Sequence, residues 1–437
     1  MREEGALGRL SGPPHKSRGY LTPIVIEVRQ TLRRMLGRAI ALALGLAFAL
    51  ALLEGIARVG ESRGAGRRPR SPRLALFDPN PNGTGSFRLR PNLRLSAGIE
   101  GRTIKVITNM HGMRWREVAT EKRPGVFRIA VLGDSVAFGC WARSIERSFP
   151  AILERRLGKG FEVLNFGVGG YGFEDELLLL REEVLKFAPD VVLLATFNGN
   201  DIRDSFLDTT RYVVRGGSAD LAEDALEGKV PPFNQTAPYV DPRPVPPRGR
   251  LGRLWSSALV RLVLRATNRD PPYLEFEVSQ RFTSYSFWSQ SPLPKVALLA
   301  VDRSKELLEE MRLLSERNGA AFLIAAIPTA EQVYAIHPVG PRFDISLPQA
   351  LLAGWALEKD VPLLDLLPIF RETARSTGRR PYLRHDVHFN DFGHRIAGEA
   401  MAKWLPNAMA SARLARCGRE TNSAFEANAT GAAGCPD

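Results

Sequence analysis

Cysteine is scarce in this chain, with three in 437 residues. Three thiols cannot build a disulfide framework for a fold of this size, and no pair has the spacing of a metal site. Cys140 stands alone, while Cys417 and Cys435 lie in the tail, where a bridge is permitted outside the cytoplasm but not demanded by the spacing. Acidic residues are also outnumbered, 47 Asp and Glu against 60 Lys and Arg, for a formal net charge of +13. The excess is local: residues 1–75 carry +9, which leaves +4 for the other 362. Basic patches interleaved with aromatics are missing from that larger part, so nucleic acid is not an expected partner. Long apolar runs are rare as well, and the single long one is Ala39 to Leu53, fifteen uncharged residues between Arg38 and Glu54.

As a helix those fifteen residues cover about 22 Å, less than the roughly 30 Å hydrocarbon core of a bilayer. Extending the run through Gly55, Ile56 and Ala57 and letting Arg38 and Arg58 snorkel makes residues 39–57 a thin but feasible single-pass anchor behind a basic segment, 1–38. A cleavable secretory signal is the rival, but its small-x-small candidate, Ala47-Phe48-Ala49, falls inside the run. Flanking arginines argue against a buried soluble helix. Four of them precede the run from Arg29, and six follow it from Arg58 to Arg73, so charge leaves the orientation open. With an anchor of this kind, the large domain is expected at the membrane on its periplasmic or extracellular side.

With 44% hydrophobic residues the remainder can bury one large core. Residues 58–124 read as a Gly-, Arg- and Pro-rich linker followed by a small β element that includes Thr103 to Ile107. The turn from Asn109 to Arg114 is expected on the surface. From 127 the rhythm becomes strand, helix, strand. The strands are Phe127 to Leu132, Glu162 to Phe166, Asp190 to Thr196, Ala321 to Ile327 and Val361 to Leu364, and a last helix spans about Phe392 to Leu405. These continuous apolar runs, bounded by turn residues, are the mark of a parallel sheet covered on both faces. The main domain is placed at 125–410. A proline-rich insertion, 206–292, interrupts it as a lid or partner surface. Within it Leu254, Trp255, Leu259, Leu262 and Val263 share a helical face that is expected to pack on the core rather than on lipid. The Ala, Gly and Asn content of 411–437 predicts a disordered tail.

Chemistry concentrates in two places. Gly133-Asp134-Ser135 ends the first strand, and in open parallel sheets the ligand crevice lies at the carboxyl ends of strands. Downstream, Asp386-Val387-His388 puts a carboxylate and an imidazole on one short loop. A serine hydroxyl needs a base to take its proton, and the imidazole needs a carboxylate to hold its tautomer. Blander readings stay open: Asp134 and Ser135 as a helix cap, and the second loop as a hydrated loop capped by Asn390 or Asp391. A metal site from His385, Asp386, His388 and His394 is a further rival.

Gly133-Asp134-Ser135, Asn165 to Gly170, Gly199-Asn200-Asp201 and Asp386-Val387-His388, in this order, resemble the four blocks of the SGNH (GDSL-like) hydrolases. The resemblance covers about 125–205 and 320–405. The apolar helix, the Asn109 to Arg114 turn, and Ile327-Pro328 with Gln332-Val333 are also similar to a bacterial membrane-anchored subgroup. It implies a three-layer α/β/α, flavodoxin-like fold with a parallel sheet, and no metal or cofactor. By that resemblance Ser135 is the nucleophile, the backbone of Ser135 and Gly170 with the Asn200 amide forms the oxyanion hole, and His388 is the base oriented by Asp386. The chain departs from the family at Asn198, where glycine is common, and in placing its acid two rather than three residues before the histidine. The implied substrate is an acyl ester; relatives add or remove O-acetyl groups on extracellular polysaccharides, so an O-acetyl ester of extracellular polysaccharide or glycolipid is expected here. Hydrolysis, transfer of the acyl group to a sugar, and a non-catalytic glycan-binding scaffold are the three functions in play.

Overall fold

The computed structural model describes residues 22–65, 76–81, 87–99, 102–204, 212–215, 218–221, 243–244, 257–266, 276–277, 289, 291–293, 295–334, 344–383 and 386–427. The chain falls into two compact units, Met1–Gly66 with Ser257–Leu259, and the remainder.

Among the described residues the first unit is dominated by the helix α1, Thr22–Ala65. Its stretch Glu27–Gly60 is long and apolar enough to cross a membrane, by length and composition, and its apolar side chains are largely exposed. At 1.5 Å per residue those 34 residues extend about 51 Å. The helix is longer than the apolar run predicts at both ends, and residues 58–65, expected to begin a linker, are helical. Alanine, arginine and glutamate are good helix formers and propagate a nucleated helix beyond its apolar centre. Glu54 accepts hydrogen bonds from the Ser257 hydroxyl at 2.7 Å and from the backbone N–H groups of Ala258 and Leu259 at 2.8 and 2.9 Å.

The second unit is built on a five-stranded sheet. Before it come two antiparallel hairpins, β1 (Phe77–Pro79) with β2 (Phe87–Leu89), and β3 (Arg94–Ile99) with β4 (Arg102–Ile107). The sheet strands are β5 (Phe127–Gly133), β6 (Phe161–Gly167), β7 (Val191–Phe197), β12 (Ala321–Ile327) and β13 (Leu363–Asp365). Between them, Tyr212–Arg215 (β8) pairs with Ser218–Leu221 (β9), and Arg243–Pro244 (β10) with Phe276–Glu277 (β11). The order across the sheet is β13-β12-β7-β5-β6 and every pairing is parallel. This is the flavodoxin-like order, whose direction reverses between β5 and β7, and ligands bind at such a switch point.

β7 is buried along its whole length, and β5, β6 and β12 everywhere but at their first residue, which is why they read as unbroken apolar runs. The final strand is shorter and later than the expected Val361 to Leu364, because it pairs only with Ile324 to Ala326 of β12. Ser135–Phe138 (α2) is one turn, and Phe149–Leu157 (α3) has a proline in its first turn and stops at Gly158. Phe173–Glu182 (α4) carries three acids in its first turn, favourable to the helix dipole. α4 ends at Glu182, and Val184–Phe187 tightens into a 3₁₀ turn. Asp201–Asp204 (α5), Ala258–Ala266 (α6), Lys295–Arg317 (α7), Ala330–Tyr334 (α8), Leu347–Glu358 (α9), Leu367–Thr377 (α10) and Asp391–Ala427 (α11) follow in chain order. α3 packs with α11, and α4 with α7, giving helical layers to the sheet.

The structure corrects three expectations. α11 continues to Ala427, so the tail predicted to be disordered from 411 is helical that far, in keeping with its alanine, arginine and glutamate content. On α6, Leu262 and Val263 are half exposed instead of packed on the core, while Leu254 and Trp255 lie outside the described residues. The Asn109 to Arg114 turn is no surface loop: Asn109, Met113 and Arg114 are buried, and only Met110 and His111 face solvent. The buried backbone and guanidinium of that turn find partners inside the domain, which a one-dimensional pattern does not reveal. Most of the 206–292 insertion lies outside the described residues.

Candidate active site

At the end of β5 the buried Asp134 caps α2, its Oδ1 accepting the Val136 N–H at 2.7 Å, and Ser135 is the first helical residue. The cap reading is therefore correct for Asp134, and it turns Ser135 outward from the strand end. Strand and helix approach so closely here that glycine is needed nearby. A Cβ on Gly167, at the end of β6, would lie 2.1 Å from the Phe138 backbone nitrogen. The loop after β6 lies beside the serine, since a Cβ on Gly169 would sit 3.7 Å from that of Ser135. Gly170 follows with φ +88°, a left-handed conformation that aims its backbone where other residues are strained. Asn165 holds the base of this loop by accepting the Gly167 N–H at 3.0 Å.

The loop after β7 joins the same crevice. Asp201 accepts the Phe197 N–H at 2.6 Å, closing the turn, and the Asn200 amide reaches the Tyr171 carbonyl at 3.5 Å. Asn198, where the family commonly has glycine, is buried, and its backbone N–H donates to the Ile327 carbonyl at 3.0 Å.

The second loop is set by the start of α11. Asn390 caps that helix, accepting from Phe392 and Gly393 at 2.8 and 3.2 Å, while its amide donates to the Arg380 and Tyr382 carbonyls at 2.7 and 3.1 Å. Phe389, fully buried, packs on Phe370 and Tyr382 with ring centroids 4.9 and 5.1 Å apart. The neighbouring His388 is thereby delivered to Ser135: its Nε2 lies 2.7 Å from the Ser135 hydroxyl, across 253 residues of chain. Its Nδ1 is hydrogen-bonded to the Asp386 carboxylate, which also accepts the His388 backbone N–H at 3.0 Å. Burial opposes an imidazolium at His388, yet the charge and hydrogen bond of Asp386 outweigh it and hold the imidazole pKa above its ordinary value. The Ser135 hydroxyl also stands 3.3 Å from the Asp134 carboxylate, a longer contact than that to the imidazole.

The structure thus brings together Ser135, His388 and Asp386 by direct hydrogen bonds, with Gly170 and Asn200 on the two loops that flank them. His385 lies outside the described residues. His394 does not join the cluster as a ligand: it is fully buried between Phe149 and Phe389, and burial, with the Arg114 charge nearby, lowers its pKa to about 3. Among the described residues no three His, Cys, Asp or Glu side chains are grouped to hold a metal ion. Cys140 is a free thiol whose pKa burial pushes well up, which keeps it protonated at neutral pH. Sequence reasoning did not single out Trp141, whose ring stands edge-on to His388 at 6.5 Å, or the burial of Arg114. A charged residue inside the string Gly112-Met113-Arg114-Trp115 was the one available signal.

A doubly wound parallel domain with a hydrogen-bonded Ser-His-Asp set at its switch point defines the class: an α/β domain shaped for serine-based acyl chemistry. Residues 131–396 match the model of the GDSL-like lipase/acylhydrolase family, and the chain belongs to that family. It is an ester-hydrolysing enzyme of the SGNH type. Solved structures resemble it at low identity. An acetyl xylan esterase, AlAXEase, is 14% identical over 63% of this chain and 98% of its own, with a TM-score of 0.35. The inhibitor-bound aryl esterase of M. smegmatis is 12% identical over 65% and 100%, with a TM-score of 0.33. A lipolytic protein of the G-D-S-L family from Veillonella parvula DSM 2008 is 10% identical over 64% and 97%, with a TM-score of 0.34. A search of curated protein sequences returned no match.

Proposed function

We propose that this protein cleaves O-acyl, chiefly O-acetyl, esters of cell-envelope polysaccharide or glycolipid through a serine ester, with Ser135, His388 and Asp386 as its triad. The single observation that carries the reading is the continuous chain of hydrogen bonds from Asp386 through His388 to Ser135. In this reading His388 Nε2 accepts the Ser135 proton as the hydroxyl attacks the ester carbonyl, and Asp386 stabilises the imidazolium that forms. The tetrahedral oxyanion is met by the backbone N–H groups of Ser135 and Gly170 and by the Asn200 amide, from loops that flank the serine. His388 then returns its proton to the departing alcohol. Water, activated in the same way, releases the acid and restores the serine, while a sugar hydroxyl in place of water would make the same site a transferase. Apolar, exposed α1 supports a membrane anchor, with the catalytic domain outside the cytoplasm.

The test is release of p-nitrophenol from its acetate and butyrate esters by the full chain in detergent, beside Ser135→Ala. Turnover of the acetate by the parent and none by the variant, with unchanged circular dichroism, supports the reading. Equal turnover by both would remove it. Anchoring is checked separately by membrane fractionation, where a shortened soluble form beginning beyond Leu50 would instead mean a cleaved leader.

A further inference from the structure

Arg114 is 2% exposed, and among the described residues no carboxylate lies within ion-pair distance of it. A buried guanidinium without an anion is costly unless its donors are met by other groups, and here both terminal nitrogens are met by backbone carbonyls, while the buried Nε has no partner. One terminal nitrogen donates to Phe138 at 3.3 Å and to Gly139, and the other to Lys105 at 2.9 Å and Ala142 at 2.8 Å. Three of these four carbonyls belong to one turn, residues 138–142, which leaves the helix that begins with Ser135. That turn folds back on the serine, since Cys140 N–H donates to the Ser135 carbonyl at 2.9 Å and Gly139 N–H to the Val136 carbonyl at 3.1 Å. Within it Trp141 is held at φ +64°, a conformation that bulky residues rarely adopt and that persists only where its surroundings enforce it. Its ring is thereby set edge-on to His388, centroids 6.5 Å apart and planes at 83°.

We propose that Arg114 and Trp141 are positioning residues for the catalytic imidazole: the guanidinium fixes the path of the 138–142 turn, and the turn presses the Trp141 ring against His388 so that Nε2 stays on the Ser135 hydroxyl. The two terminal nitrogens of the planar guanidinium reach four carbonyls from fixed, separate points, whereas lysine carries its three donors on one rotating nitrogen. Arg114 lies ahead of the matched family region, 131–396, so the element that precedes the hydrolase domain contributes to the rigidity of its site. Cys140, partly buried, and His394, fully buried, lie close to the same guanidinium, so the turn packs against the interior of the domain. The inference rests on the triad reading above.

The test uses the full chain in detergent with p-nitrophenyl acetate, and active sites counted by titration with a fluorophosphonate so that unfolded protein does not enter kcat. Arg114→Lys and Trp141→Ala are each expected to lower kcat per titrated site about 10- to 100-fold with KM within about twofold, since misplacing a catalytic group by about 1 Å costs on the order of 10². Trp141→Phe, which keeps an aromatic edge toward His388, restores most of the rate. Because the two residues act through one turn, the double variant should be scarcely worse than the poorer single one, a non-additivity expected of groups that share a partner. Unchanged kcat per site, a loss confined to KM, or additive effects would each overturn the proposal. If Arg114→Lys does not fold, the Trp141 pair decides alone. Ser135→Ala run in parallel separates the two levels: residual activity there defeats the triad itself, whereas an inactive Ser135→Ala beside unimpaired Arg114 and Trp141 variants defeats only this inference.

Discussion

Replacing Asp386 by asparagine is the most informative single change, because the acid is where this chain departs from the spacing of its family. In the structure the Asp386 carboxylate accepts both the Nδ1 proton and the backbone N–H of His388, the latter at 3.0 Å, and both side chains are largely buried. Asparagine fills the same space and can keep an oxygen on the backbone N–H, so the loop should survive. The negative charge is lost. At an effective dielectric of about 20 and a charge separation of about 4 Å, its attraction for the imidazolium is about 4 kcal/mol, or about three decades in rate. An asparagine that turns its NH₂ toward Nδ1 also forces the ring proton onto Nε2, where it can no longer accept from Ser135. In a serine protease whose triad aspartate is changed to asparagine, charge loss and wrong tautomer together cost about 10⁴ in kcat, and a loss of that order is expected here. The pH profile carries a second signature. Activity needs the neutral imidazole, so it rises with pH through the pKa of His388, which Asp386 holds above its ordinary value. In Asp386→Asn that acidic limb should move to lower pH even as the plateau collapses. Steady-state hydrolysis of p-nitrophenyl acetate from about pH 5 to 9 brackets the ordinary histidine range and measures both. Retention of more than about a tenth of the activity, an unmoved limb, or a greater loss in His385→Ala than in Asp386→Asn would refute the assignment.

Asn200→Ala removes one donor from the proposed oxyanion hole and should lower kcat by about 10²–10³ with little change in KM, as read by initial rates on the acetate ester. A rise in KM alone would place Asn200 in ground-state binding instead. His394→Gln tests the buried imidazole. Its folded-state pKa of about 3 lies below the ordinary 6.5, so the unfolded chain takes up the proton first. The stability it contributes is full above about pH 6.5 and is lost as pH falls toward 3. Between about pH 7 and pH 5 the parent should therefore lose about 2 kcal/mol that the variant does not, measurable by urea unfolding at the two values.

The amino-acid sequence determined the parts that depend on neighbours along the chain. Buried parallel strands need apolar side chains on both faces, so β5, β6, β7 and β12 were legible as runs to within a residue at each end. Glycine, acid and serine at the end of β5 marked the cap and the candidate nucleophile because a strand-to-helix turn has local rules. Asp386 and His388 were readable as partners because two residues on a tight loop are within reach of each other. What the tertiary structure alone decided depends on groups distant in sequence. The 2.7 Å contact of Ser135 with His388 joins residues 253 apart, and no spacing encodes it. Burial of Arg114 was hidden because its compensation comes from carbonyls 24 to 28 residues further on, at Phe138, Gly139 and Ala142, and backbone carbonyls carry no sequence signature. His394 looked like a ligand by composition, and packing between Phe149 and Phe389 made it a neutral core residue. The short β13 and the extended α11 escaped the one-dimensional pattern for the same reason: a strand ends where its partner stops pairing, and a helix continues as far as its intrinsic propensity carries it beyond the packed turns.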